Sequence, residues 1–259
     1  MAEQSRRRVQ SIEVGFRVLR VLRMAEGPLP LREIAARASM PPSKVHLYLV
    51  SFVRENMAYQ EPSNGYYGLG SFAIQLGLAA VRQLDVVSLA ADVLTQLRDQ
   101  TDCAIYLSLW GDQGPCIVAK ADGGRQGAFA LRLGYILPLG TTASGLIYLA
   151  HMPRSETQAL LDAQTSVRRA NGGRLPLAMD QLDGPIEAVR ANGYASTVGQ
   201  LNQNFAAVAA PVLGPQGNLA AVLTLLGPIE YVTANRDKCV GLVPAAAQSV
   251  SRQLAEGAG

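Results

Sequence analysis

Histidine and cysteine are scarce. His46 and His151 are the only histidines in 259 residues, and Cys103, Cys116 and Cys239 the only cysteines. Three widely spaced cysteines without a CxxC pair read as reduced core thiols, so neither a disulfide framework nor a metal site is expected. HExxH, GxSxG, Walker and dinucleotide-loop patterns are missing; the glycines at 123, 124 and 127 lack the strand-then-helix setting that a dinucleotide loop needs. The N-terminus shows no charged segment leading into an apolar core, and no apolar run is long enough to span a bilayer. A cytoplasmic protein without a membrane span or cofactor is therefore expected.

Charge is also sparse, at 17% of residues, and its placement is uneven. Residues 1–70 hold ten Lys and Arg against six Asp and Glu, whereas 71–259 hold thirteen against fourteen, so the net +3 of the chain is carried by its first part. Attraction to phosphate is largely sequence-independent, so this excess supports nucleic-acid contact without naming a site. The length suggests two domains.

The stretch from 31 to 55 predicts two short helices joined by a tight turn. Leu31, Ile34, Ala35 and Ala38 share one face of the first helix. Pro41 and Pro42 forbid its continuation but are tolerated in the first turn of a second helix, expected to start near Pro42 or Ser43. Val45, Leu49, Phe52 and Val53 form the buried stripe of that second helix. Ser43, Lys44, His46 and Tyr48 are left on its outer side, where a helix-turn-helix places the groups that reach base edges. An ordinary helical hairpin is the alternative. The next segment of chain favours the DNA reader: Ala58–Glu61 and Tyr66–Leu69 flank Asn64-Gly65, a strong hairpin signal, and two helices plus a hairpin make a winged helix-turn-helix.

At this point the chain resembles the IclR family of bacterial transcription regulators. Further elements carrying the resemblance are LPLGTTASGLIYLA at 137–150, GYAS at 193–196 and VAAPVLGPQGNLAAVLTLLGP at 208–228. It implies an α+β architecture: a winged helix-turn-helix over 1–70, a linker helix and the start of the second domain over 71–100, and a GAF/PAS-like α/β effector-binding domain over 101–259. It also implies a double-stranded DNA operator, a small-molecule effector, and assembly as a homodimer or homotetramer.

Around these motifs the chain reads in order. Arg6, Arg7 and Arg8 form a basic arm that either contacts DNA or stays solvated. Ser11 is expected to cap a helix over 12–24, along which Arg17, Arg20 and Arg23 face either phosphate or water. Arg32 is counted with the DNA-contacting residues. Residues 70–100 are helical in character and, with Phe72, Ile74, Leu76, Leu78 and Val81, too apolar for a helix facing water, so this segment packs on the second domain or on a partner chain. Asp85, Asp92 and Asp99 recur every seven residues and mark the exposed side of the helix that follows. Strands are predicted over 103–110, 115–121 and 128–134, then over 194–198, 206–213 and 219–226. Helices are predicted over 152–163, 179–192 and 233–254.

Carried over residue by residue, the family's pocket maps to Leu133 and Leu139 as apolar wall, Thr142, Ala143 and Ser144 at the loop-to-helix junction, and Thr197, Gln200, Ala207, Thr224 and Leu226 on the sheet side. Ala207, Thr224 and Leu226 stand where the family often has more polar groups. Burying unpaired polar ligand atoms costs on the order of 1–3 kcal/mol each, so an aromatic or otherwise largely apolar effector is expected; the alternative is that Ala207 and Leu226 merely fill core. The second helix departs from the family as well, with Lys44 and Leu47 where a threonine and an arginine are common. The rival class is an enzyme using the C-terminal domain. Ser144 has no base nearby in sequence, a helix cap is the better reading for it, and no catalytic residue is assigned.

Overall fold

The computed structural model describes residues 9–126, 131–170 and 179–257, and the chain divides into two compact units, Met1–Gln83 and Leu84–Gly259.

In the first unit, α1 (Gln10–Met24), α2 (Leu31–Ala38) and α3 (Pro42–Arg54) precede a two-stranded antiparallel hairpin, β1 (Ala58–Gln60) and β2 (Tyr67–Leu69). Helix α1 starts one residue before Ser11 and has no side-chain cap, so Ser11 lies inside the helix instead of capping it. Ser39 ends α2 in the left-handed conformation, and Pro41 and Pro42 open α3. In the hairpin turn, Gly65 has φ +74 and the Tyr66 amide donates to Asn64 Oδ1 at 2.8 Å. The core is Val18, Leu22, Ile34, Ala35, Val45, Leu49, Ala58 and Tyr67. Paired hydrogen bonds between Leu29 and Tyr67 fasten the segment before α2 to β2.

The helical stretch predicted over 70–100 consists of α4 (Ser71–Arg82) and α5 (Asp85–Thr101), with the division between units at 83/84. Helix α4 buries none of its residues within the chain, whereas α5 buries Val86, Ala90, Leu94 and Leu97 and exposes Asp85, Asp92 and Asp99.

The second unit is built on a five-stranded antiparallel sheet in the order β4-β3-β7-β6-β5, from β3 (Ala104–Gly111), β4 (Gly114–Ala121), β5 (Ala195–Val198), β6 (Phe205–Leu213) and β7 (Leu219–Pro228). Alternation along the strands gives two hydrophobic faces. Ile105, Leu107, Val208, Leu223 and Leu225 pack under α5 and α10 (Arg236–Glu256), which continues through Pro244. Tyr106, Ala207, Ala209, Val222 and Leu226 pack under α6 (Ala143–His151) and α8 (Met179–Asn192). Helix α7 (Arg154–Ala170) follows α6 directly, and the helix predicted over 233–254 is divided at Asn235 into α9 (Ile229–Ala234) and α10. The strand predicted over 128–134 does not form where it is described: Leu131–Gly134 is irregular, and Ile136 alone bridges to Cys116. The remainder of that strand lies outside the described residues. The three cysteines are free, with Cys103 and Cys239 buried.

Candidate DNA-reading and effector sites

Helix α3 buries Val45 and Leu49 completely, which turns the opposite side outward. At 100° per residue, that side carries Ser43, Leu47, Val50, Ser51 and Arg54, with Lys44 toward one edge and His46 at the other, and all seven are exposed. Ser51 Oγ donates to the Leu47 carbonyl at 3.2 Å. Arg32, in the first turn of α2, is also exposed, and neither Arg32 nor Lys44 has a carboxylate partner among the described residues. Tyr48 is a correction. It is half-buried, its ring centroid lies 6.5 Å from that of Phe52, and it packs beside Gly15 of α1, because position 48 falls on the flank of the buried stripe. Arg6, Arg7 and Arg8 lie outside the described residues.

In the second unit, register aligns side chains in lateral rows across the sheet. Thr197, Ala207, Leu226 and Ala104 form one row; Ala195, Ala209, Thr224, Tyr106 and Lys120 form the next; Val222, Ser108 and Ile117 lie in the third. Helix α6 lies over these rows, and Ser144, fully buried, reaches down to them: its Oγ is 2.9 Å from Thr224 Oγ1 and 3.3 Å from Tyr106 Oη. A second buried pair stands beside it, where Tyr148 Oη donates to the Ser108 carbonyl at 2.7 Å and lies 3.3 Å from Ser108 Oγ. Burial pushes the Tyr106 phenol up to about 12, against the hydrogen bonds from Ser144 and Thr224, and raises that of Tyr148 for the same reason. Both phenols are therefore neutral at physiological pH.

The cap of α6 is Thr142, whose Oγ1 accepts from the Gly145 amide at 2.9 Å and donates to the Pro138 carbonyl at 2.6 Å. Ser144 is thus not a cap, as the sequence suggested, but a buried hydroxyl two positions into the helix. Glycine is required at 145, since a β-carbon there would collide with the carbonyl oxygens of Leu139 and Pro138. Thr141 Oγ1, in the turn before α6, is buried and makes no hydrogen bond among the described residues.

Leu139, Thr142, Ala143, Ser144, Thr197, Ala207, Thr224 and Leu226 are buried, and Gln200 is half-buried beyond β5. Leu133 is a correction: at 58% exposure it stands on the turn ending at Gly134 and lines no part of the buried cluster. Sequence reasoning missed Tyr106, Ser108 and Tyr148. The signals were a hydroxyl at i and i+2 in β3, which places both on one face, and a tyrosine four residues after Ser144. At the edge of the site, Lys120 Nζ is held by Asp122 at 2.7 Å and by the Leu131 carbonyl at 3.2 Å. The space bounded by Tyr106, Ile117, Lys120, Leu131 and Leu226 is about 10 Å³, room for about one water molecule and not for an aromatic ring.

A winged helix-turn-helix with an exposed second helix defines the class: a DNA-binding protein of the helix-turn-helix kind, carrying a separate α/β unit. Comparison with known proteins gives the family. Residues 11–62 match the IclR helix-turn-helix domain, and residues 78–252 match the description bacterial transcriptional regulator IclR C-terminal. The chain belongs to the IclR family of bacterial transcriptional regulators. It is 28% identical to the glycerol operon regulatory protein of Streptomyces coelicolor, over 97% of this chain and 98% of that one. A structure from Silicibacter described as a putative IclR transcriptional regulator superposes with a TM-score of 0.82 at 19% identity, covering 95% of this chain and 96% of the other. An IclR homologue from Microbacterium hydrocarbonoxydans, complexed with 4-hydroxybenzoate, superposes with a TM-score of 0.78 at 18% identity, covering 94% and 98%.

Proposed function

We propose that this regulator acts as a homodimer in the cytoplasm and that its hold on an operator is set by a small molecule with an aromatic or largely apolar body, bound between α6 and the sheet. The observation that carries the effector reading is the hydroxyl chain Tyr106–Ser144–Thr224, enclosed by Ala104, Ala143, Ala207, Ala209 and Leu226. Neutral hydroxyls amid small apolar side chains suit a ligand with one or two polar atoms on a hydrophobic frame, whereas a small dicarboxylate would leave charge unpaired there. That an IclR homologue holds an aromatic acid supports this reading. The space beside Tyr106 and Leu226 takes about one water, so a ligand entering there must displace side chains. A shift of that kind can favour one arrangement of the regulator over another only through unequal affinity, with couplings of about 1–3 kcal/mol.

Binding without turnover fits the surroundings of Ser144. Among the described residues its hydroxyl meets two other hydroxyls and no base, and His151, at the end of α6, turns Nδ1 to the Ile147 carbonyl at 3.0 Å. Pairing through α4 fits the exposure of Phe72, Ile74, Leu76 and Leu78, at 44–62% each. Two α3 helices would then meet successive major grooves about 34 Å apart, on an operator with partial two-fold symmetry.

The test is a thermal-shift screen of phenols, aromatic acids and small polar acids, followed by operator titration with each stabilising compound. The expected result is stabilisation by aromatic compounds and a change in operator affinity of about 5- to 150-fold. Stabilisation by small polar acids alone would overturn the effector reading. Sedimentation showing a monomer would overturn the pairing.

A further inference from the structure

The outward side of α3 combines polar groups with two aliphatic ones. Leu47 is 69% exposed and Val50 is 53% exposed, on a helix whose Val45 and Leu49 are fully buried. Positions 47 and 50 are one turn apart on the same face, flanked by Ser43, His46 and Arg54. An exposed leucine in the middle of a reading helix gains free energy only from a partner that takes it out of water. Its surroundings favour a nucleic-acid partner over a protein one: Lys44 and Arg54 of the same helix and Arg32 of α2 are exposed and have no carboxylate partner among the described residues, which complements phosphate.

The major groove offers hydrogen-bonding atoms at every base pair but only one apolar group, the C5-methyl of thymine. Leucine and valine can use nothing else there. We propose that Leu47 and Val50 read thymine methyl groups and so set a preference for A·T pairs under the middle of α3. The inference rests on α3 being the DNA reader. Helical rise separates the two side chains by about 4.5 Å along the axis, so they meet thymines at adjacent or next-adjacent base pairs.

The experiment uses the full chain and an operator selected from random duplex. Each thymine in turn is replaced by deoxyuridine, which pairs identically but lacks the methyl. The expected result is a loss of affinity on the order of fourfold at one or two thymines per half-site, from the unburied methyl. In Leu47→Ala the thymine-to-uracil ratio at one of those positions falls to one, and in Val50→Ala at the other, whereas Lys44→Gln weakens both duplexes equally and keeps the ratio. Ratios within error of one at every thymine in the parent chain overturn the proposal, as does a half-site without thymine under α3 or a ratio that survives both alanine variants. Failure to select any preferred duplex would instead overturn α3 as the reader.

Discussion

The first unit turns Ser43, Lys44, His46 and Leu47 out to solvent, over a core of eight buried residues. In the second unit, by contrast, Ser108, Ser144 and Thr224 are fully buried, within the hydrophobic cluster between α6 and the sheet. A surface reader needs side chains free to meet an external partner, so its structural and recognition residues occupy opposite sides of one helix and can change independently. A buried site has no such separation, because each hydroxyl that would meet a ligand also satisfies a neighbour and fills core. Under the proposed function, stability and recognition are therefore separable in the first unit and coupled in the second.

The largest expected effect probes the second unit's packing. Gly145→Val drives a side chain into the Leu139 and Pro138 carbonyls and should destabilise that unit by about 4 kcal/mol or more, while the first unit keeps its own unfolding transition. Calorimetry on the full chain reads the two transitions, and equal loss in both would break the comparison. Next comes a contrast within α3. Leu49→Ala, at a fully buried position, should cost about 2–5 kcal/mol, whereas Leu47→Ala should leave stability unchanged within about 0.5 kcal/mol and alter only DNA binding. Denaturant unfolding beside a binding titration distinguishes the two.

Ser144→Ala removes the centre of the hydroxyl chain and should cost about 1–3 kcal/mol, while also lowering the thermal shift given by an aromatic effector. A stability loss with the effector shift intact would separate the two roles and contradict the coupling. The smallest effect concerns pH. Tyr106 has its phenol raised by burial from 10.0 to about 12, so unfolded chains ionise first. Its contribution is present in full below pH 10 and is lost as pH rises through about 12. Between pH 6 and 9 the protein's hydroxyls should add no pH dependence to effector binding, which isothermal titration at three pH values checks.

Much of the first unit was legible because its information is local. Prolines 41 and 42, the spacing of Val45 and Leu49, and Asn64-Gly65 specify helix, stripe and hairpin within a few residues of themselves. Tyr48 was misplaced because an aromatic at the flank of a stripe is claimed by whatever packs there, here Gly15 and Phe52. In the second unit the strand order and the meeting of Ser144 with Thr224 join positions 80 residues apart, and Ser144 with Tyr106 positions 38 apart. No periodicity reports such distances. The resemblance pointed to Ser144 and Thr224 without saying that they bond to each other, and to Leu133, which is exposed on a turn away from them.

Residue order alone determined the helices of the first unit, its wing, the face that α3 turns outward and the absence of a bilayer-length apolar run, because each depends on steric and hydrophobic preferences over one or two turns of chain. Only the tertiary structure decided which hydroxyls converge beneath α6, that Thr142 and not Ser144 caps it, and that α4 keeps an apolar surface within its own chain. Those outcomes depend on strand register and on which surfaces remain after two cores have closed, and both are properties of the whole fold.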